Sequence, residues 1–287
     1  MTQNFLQLMA EKAPNFSKGQ RGIADYIKEH YDRAAYMTAS RLGEVVQVSE
    51  STVVRFANAL GFDGYPEMQK ALQELTRTNL TAAQRMSVAD SLMDRSTLLD
   101  KVLMGDADKI RHTLDELDRD AFDAAVERIG SARNIYIIGS RSAASLAGFL
   151  NFNFRMMFDN VCHVEMASGS EMFEQILNIG PEDVLIAISF PRYSNRTVRA
   201  VQYAHNRGAD VVALTDSAQS PLAAYADQLL TARSDMASFV DSLVAPLSII
   251  NAMVAAVSMS RHDEVAARLH RLEEIWDEYH VYEKNRP

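Results

Sequence analysis

Between residues 134 and 216, four short apolar runs alternate with stretches of helical periodicity, and few folds accommodate that order. The runs are NIYIIGS (134–140), VCHVEM (161–166), VLIAIS (184–189) and VVALTD (211–216). Between them lie SAASLAGFLNFNFRMMF, SEMFEQILNI and RTVRAVQYAHNRG, each patterned to cover an apolar surface with one face of a helix. Strands apolar on both faces need helices on both faces, so the alternation predicts βαβ units and a mainly parallel sheet. Each run ends in small polar side chains: Ser140 and Ser142, Ser168 and Ser170, Ser189 and Ser194, Thr215 and Ser217. In open α/β sheets, ligands bind just beyond those carboxyl ends.

The first 80 residues have a different texture. KGQRGIADYIKEHYDRAA places Ile23, Tyr26, Ile27 and Tyr31 on one helical stripe, and two shorter helical segments follow. Residues 76–120 are polar, nearly free of glycine and helical in pattern. The chain is expected to contain an all-α domain (1–80), a helical connector (81–120) and an α/β domain (121–287).

The chain's formal charge is −9, which by itself argues against nucleic acid. Its distribution changes the inference. Residues 1–80 carry nine basic and nine acidic side chains, so the whole excess of acid lies in the remainder. Binding follows local basic faces rather than total charge. The lone cysteine, Cys162, excludes an intrachain disulfide framework and fits a reducing cytoplasm. The N-terminus lacks a secretory pattern. The most apolar stretch, SLVAPLSIINAMVAAVSM (242–259), is interrupted by Pro246, Ser248 and Asn251, and predicts a core or subunit-interface helix rather than a membrane span.

The segment 37–62 has the build of a helix-turn-helix. Thr38 is placed to cap a first helix with Leu42, Val45 and Val46 facing inward. Ser49 is placed to cap a second, with Val48 and Val53 as its hydrophobic staple and Val53, Phe56, Ala57 and Leu60 as its core face. Ser49, Ser51, Thr52, Arg55 and Asn58 fall on the other side, with chemistry suited to phosphates and base edges. Gly61 is placed to end the helix. Two capped amphipathic helices also occur in all-α domains that never meet DNA. Residues 17–72, and above all VSESTVVRFANALGFDGYPEM, resemble the N-terminal domain of RpiR/HexR-type bacterial regulators. The resemblance implies that the helix after Ser49 enters DNA, with those five residues facing it. Gln47 stands where such turns often carry glycine.

Residues 122–260 resemble the sugar isomerase (SIS) domain that usually follows that helix-turn-helix. The likeness rests on NIYIIGSRSAASLA and on EDVLIAISFPRYSNRTVRAVQYAHNRGADVVALTDSAQSPLAAYADQLL. In the family, G-x-G-x-S and S-x-S-G-x-T turns cradle a phosphosugar, using hydroxyls and helix N-termini for the anion. Here the first turn reads Gly139-Ser140-Arg141-Ser142, and the second reads Ser189, Phe-Pro-Arg-Tyr, then Ser194-Asn195-Arg196-Thr197. Arginine replaces the second glycine, asparagine replaces another, and three residues are inserted. The resemblance implies effector contacts by Ser140, Arg141, Ser142, Ser189, Arg192, Ser194, Asn195 and Thr197. On the residues alone, Arg141 and Arg192 face either the pocket or solvent, and Pro191 and Tyr193 either line the pocket or fill it.

Some SIS proteins are isomerases, which need a base beside the substrate's carbon acid. Glu165, Glu171, Glu174, His163 and His205 lie nearby in sequence, but no spacing marks one of them, and no metal-ligand pattern occurs. The expectation is a cytoplasmic DNA-binding regulator of carbohydrate genes without cofactor, metal or membrane. Its partners would be a double-stranded DNA operator, a phosphorylated sugar or sugar-acid effector, and further copies in a homodimer or tetramer. A phosphosugar isomerase and a DNA-binding protein without metabolite response are the alternatives.

Overall fold

Side-chain caps set where the first helices begin. The structure, a computed structural model, describes residues 5–79, 81–86, 95–165, 169–236 and 240–283. The chain divides into two compact units: Met1–Val102 with Asp235–Asp241, and Leu103–Ser234 with Ser242–Pro287.

In the first unit, α1 (Phe5–Lys12) precedes α2 (Lys18–Ala34), which opens on a reciprocal capping box between Ser17 and Gln20. Thr38 caps α3 (Ala39–Val46) and Ser49 caps α4 (Glu50–Leu60), their hydroxyls accepting from the Arg41 and Thr52 N–H groups. Helices α5 (Tyr65–Asn79) and α6 (82–86) follow. Ile23, Ile27, Leu42, Val53, Phe56, Met68 and Leu72 make a core closed to solvent. Tyr65 ties α5 to the start of α3, its hydroxyl donating to the Met37 carbonyl at 2.7 Å; burial pushes that phenol up to about 12. One expectation fails here. Val45 is exposed, and Gly43 is buried in its place. A Cβ on Gly43 would lie 2.8 Å from the Val48 carbonyl, so the turn packs directly on this glycine and rotates Val45 outward.

The second unit begins within α7 (Leu98–Glu116) and continues with α8 (Arg119–Ser131). Then come β1 (Ile135–Gly139), α9 (Ala143–Met157), β2 (Val161–Val164), α10 (Gly169–Gln175), β3 (Val184–Ile188), α11 (Asn195–Asn206), β4 (Asp210–Thr215), β5 (Gln228–Thr231), α12 (Val244–Ser260) and α13 (His262–Glu278). All five strands are parallel, in the order β2-β1-β3-β4-β5. Alternate residues feed opposite faces. Ile135, Ile137, Ile186, Ile188, Val212 and Leu214 pack with α8, α9 and α12. Tyr136, Ile138, Leu185, Ala187, Val211 and Ala213 pack with α10 and α11. The fold is thus an all-α helix-turn-helix region followed by a mainly helix-flanked parallel sheet. The apolar stretch 242–259 is α12, with Ile249, Ile250, Met253 and Val257 buried against that sheet. No single helix among the described residues is long and apolar enough to cross a membrane.

Register places the strand ends level. Gly139 pairs with Ile188, and Ile188 with Leu214. The following residues Ser140, Ser189 and Thr215 therefore emerge side by side. Ser168 lies outside the described residues, and Ser170 falls within α10.

Candidate functional site

Each of the two units brings together one set of the candidate residues. In the first unit, the α3–α4 turn passes through Gln47 in the left-handed conformation (φ 60°, ψ 44°), which costs a non-glycine residue about 1 kcal/mol. Gly61 ends α4 in the same region of backbone space, where glycine is unstrained. Between them, Ser51, Arg55 and Asn58 are exposed and spaced four and three residues apart, so they share one face of α4. The Ser49 hydroxyl is committed locally: it caps α4 and meets the hydroxyls of Ser51 (2.9 Å) and Thr52 (2.8 Å). Thr52 is half-buried. Its methyl lies 3.3 Å from where a Cβ on Gly19 would stand, so it packs towards α2. No ion pair among the described residues engages Arg55.

In the second unit, the chain order reverses between β1 and β3, and their adjacent ends form the switch point where open α/β sheets bind ligands. The loops after these two strands are joined there: Ser140 Oγ and Thr197 Oγ1 lie 2.9 Å apart. Thr197 is fully buried, and Ser140 is half-buried. Ser194 caps α11, its hydroxyl facing the Thr197 N–H at 3.5 Å, so the helix's free N–H groups open beside the same hydroxyls. Ser189 is buried, and its N–H donates to the Leu214 carbonyl. Asn195, Arg192, Arg141 and Ser142 are exposed, and Ser142 begins α9 without a side-chain cap.

The Phe-Pro-Arg-Tyr segment after Ser189, which contains the insertion, is anchored at several points. Phe190 enters the core beneath the sheet, Pro191 is buried, and the Tyr193 hydroxyl donates to Asp216 Oδ1 at 2.7 Å. Thr215 Oγ1 contacts the same carboxylate oxygen at 3.2 Å and Ser220 Oγ at 2.8 Å. Asp216, the residue after β4, is not marked as a site residue by any sequence pattern, although it directly follows Thr215, which stands level with Ser189. Its partner lies 23 residues away, and only the register of β3 and β4 brings the two loops together. The backbone has positive φ at Arg141 (58°) and Arg192 (61°), two of the four non-glycine residues with that geometry among those described. Of the residues weighed as bases, His205 lies away from the joined loops. His205 sits on the last turn of α11, roughly 15 Å of helix from its capped end, and stacks edge-on with Tyr225. Glu165 lends its backbone N–H and carbonyl to the side chain of Gln175.

Comparison with known proteins gives both parts a family. Residues 3–78 match the helix-turn-helix domain of the rpiR family, and residues 128–256 match the SIS domain. A helix-turn-helix transcriptional regulator of Haemophilus influenzae is 27% identical over 278 residues, covering 92% of this chain and 93% of that protein. The regulator HexR of Escherichia coli is 25% identical, covering 96% and 95%. Among solved structures, the sugar isomerase domain of an RpiR transcription factor from Sphaerobacter thermophilus superposes with a TM-score of 0.59 at 27% identity, over 62% of this chain and 99% of that one. NanR of Vibrio vulnificus, complexed with ManNAc-6P, shares the fold with a TM-score of 0.56 at 21% identity, over 96% and 99%. Together the two matched domains span most of the chain, which belongs to the RpiR/HexR-type transcriptional regulators, a helix-turn-helix domain joined to an SIS domain.

Proposed function

We propose that this regulator binds an operator through α4 and senses a phosphorylated sugar at the β1–β3 switch point, without turning it over. The observation that carries the sensing role is the Ser140–Thr197 contact, which brings two hydroxyl loops and the N-terminus of α11 to one spot. Hydroxyls and free N–H groups at a helix N-terminus suit a phosphate, and the helix dipole favours the anion. The phosphosugar bound by NanR supports a ligand of the same class here. A role in binding rather than turnover is supported by the regulators this chain is similar to and by the placement of His205 at the opposite end of α11 from the joined loops. On α4, Ser51, Arg55 and Asn58 are the residues proposed to meet DNA, with Ser49 and Thr52 shaping the start of the helix.

Control follows by linkage. An effector that binds one arrangement of the protein better shifts its population towards that arrangement, and couplings of this kind are about 1–3 kcal/mol. The test is fluorescence anisotropy with the full chain and DNA from upstream of its own coding region, in the presence and absence of a panel of sugar phosphates. A change in operator affinity of about 5–150-fold with one member is the expected result. DNA binding indifferent to every member would leave a DNA-binding protein without metabolite response. Turnover of a phosphosugar without affinity for duplex DNA would identify an isomerase.

A further inference from the structure

Helices α12 and α13 meet at 102°, and beside their corner a polar cavity of about 610 Å³ opens against the ends of α8 and α9. It lies at the opposite end of the sheet from the switch point, since Ala132 and Asn160 in its wall shortly precede β1 and β2. Asn160 fixes that wall, its amide donating to the Ala132 and Arg133 carbonyls at 3.1 and 2.6 Å. Across from it, Glu264, Arg268 and Arg271 line the cavity from one face of α13, four and three residues apart. Arg261, at the corner itself, is the third arginine of the lining.

Two of these arginines have structural duties. Arg261 donates to the Gly130 carbonyl at the end of α8 (2.7 Å), and Arg268 to the Arg155 carbonyl in the last turn of α9 (3.1 Å). Each also pairs with a carboxylate, Arg261 with Glu264 and Arg268 with Asp159. Those duties leave donors over. Arg268 Nε is shut off from solvent and has no acceptor among the described residues. A buried donor in that state costs about 1–3 kcal/mol, so a group that brings an acceptor is favoured. Arg271, one turn further along α13, makes no ion pair among the described residues. The carboxylates compete weakly: the Asp159 and Glu264 side chains are 87% and 68% accessible, and pairs so exposed contribute at most about 1 kcal/mol. Three guanidinium groups against two displaceable carboxylates leave the cavity net positive.

We propose that this cavity is a second anion site, which takes a phosphate group between Arg268 and Arg271 within the field of Arg261. Paired guanidinium forks suit the several oxygens and double charge of a phosphate. The volume falls within the roughly 300–1,000 Å³ of small-molecule sites, so a phosphate monoester fits as well as the free ion. The site shares no residue with the loops after β1 and β3 and stands independently of the sensing role proposed for them.

The test is titration calorimetry on the full chain in a phosphate-free buffer of low ionic strength, with inorganic phosphate and a nucleoside monophosphate as probes. Arg271→Ala removes an exposed side chain that ties no elements together, and should weaken binding about 10-fold or more. Asp159→Asn releases Arg268 from its carboxylate and should tighten binding about two- to fivefold, the worth of an exposed ion pair. A purely structural role for the arginines predicts no such gain. Tighter binding of the nucleotide than of inorganic phosphate would identify an ester as the occupant, and equal affinity the phosphate group alone. The inference is overturned if neither probe binds at millimolar concentration. It is also overturned if either substitution leaves the affinity unchanged or moves it the other way, because the bound phosphate would then lie elsewhere.

Discussion

At Arg55 the chemistry of one side chain makes a distinct prediction about DNA. It stands at the middle of the exposed stripe Ser51–Arg55–Asn58, with no ion pair among the described residues to compete for it. A guanidinium in the major groove matches the paired acceptors of guanine, whereas the Asn58 amide suits adenine. Arg55→Ala should therefore weaken operator binding by about 1–3 kcal/mol and relax preference for guanine at one position. A phosphate contact behaves differently: its loss weakens all sequences alike and lowers the salt slope by about one. Competition among operators varied one base pair at a time, repeated at two salt concentrations, separates these outcomes. A uniform loss would move Arg55 to the DNA backbone. Thr52 is a weaker candidate than its position in the sequence suggests, because its methyl faces Gly19 of α2, a contact no helical pattern reveals.

Among the elements, β1 and β3 are fixed together at their entrance, on the far side of the sheet from the hydroxyl loops. Asp183 is closed to solvent and receives hydrogen bonds from Arg133, Asn134 and the Gly180 N–H. Burial alone would raise its pKa, but the donors outweigh burial and hold it below the ordinary carboxylate range. Because the folded state holds the proton less tightly than the unfolded one, the ionised group stabilises the fold fully above the unfolded pKa. That contribution fades as pH falls towards the folded pKa. Asp183→Asn should cost about 2 kcal/mol at pH 7, and the gap to the native protein should narrow below about pH 4. Urea unfolding at pH 7, 5 and 3 checks both; a gap constant with pH would remove the charge from the account. Strands β1, β3 and β4 are legible in the sequence because burial on both faces leaves continuous apolar runs. β5 is not, since QLLT opens on a polar residue and gains its place only by pairing with β4. The caps at Thr38 and Ser49 are equally legible, being local. The Tyr193–Asp216 bond and the inward turn of Gly43 are not, because they depend on register and packing between distant segments.

For the whole molecule, surface composition points towards self-association. Within the α/β unit, α7 exposes Leu103, Met104 and Leu114, the last two 69% and 56% accessible. Beside Leu114, a cavity of about 370 Å³ opens between α7, α8 and α12, lined by Ile110, Phe122, Ala245, Ile249 and Ala252. Helix α12 buries one side against the sheet and leaves Asn251, Ala252, Ala255 and Met259 exposed on the other. An apolar ridge and an apolar groove on one surface are the ingredients of a two-fold contact, in which each copy offers the same patch. The −9 charge lies outside the first 80 residues, so a single copy brings DNA only a formally neutral reading head. In an assembly of two copies, a pair of such heads would gain from linkage what each lacks in charge. Leu114→Glu should place a carboxylate in the proposed contact, halve the mass in sedimentation at micromolar concentration, and weaken binding to a two-half-site operator by 100-fold or more, ~10² being the low end of avidity gains. Binding to a single half-site should stay unchanged, which separates lost association from lost folding. A native protein that sediments as a monomer, or a Leu114→Glu variant that keeps its mass, would move the contact away from α7 and α12.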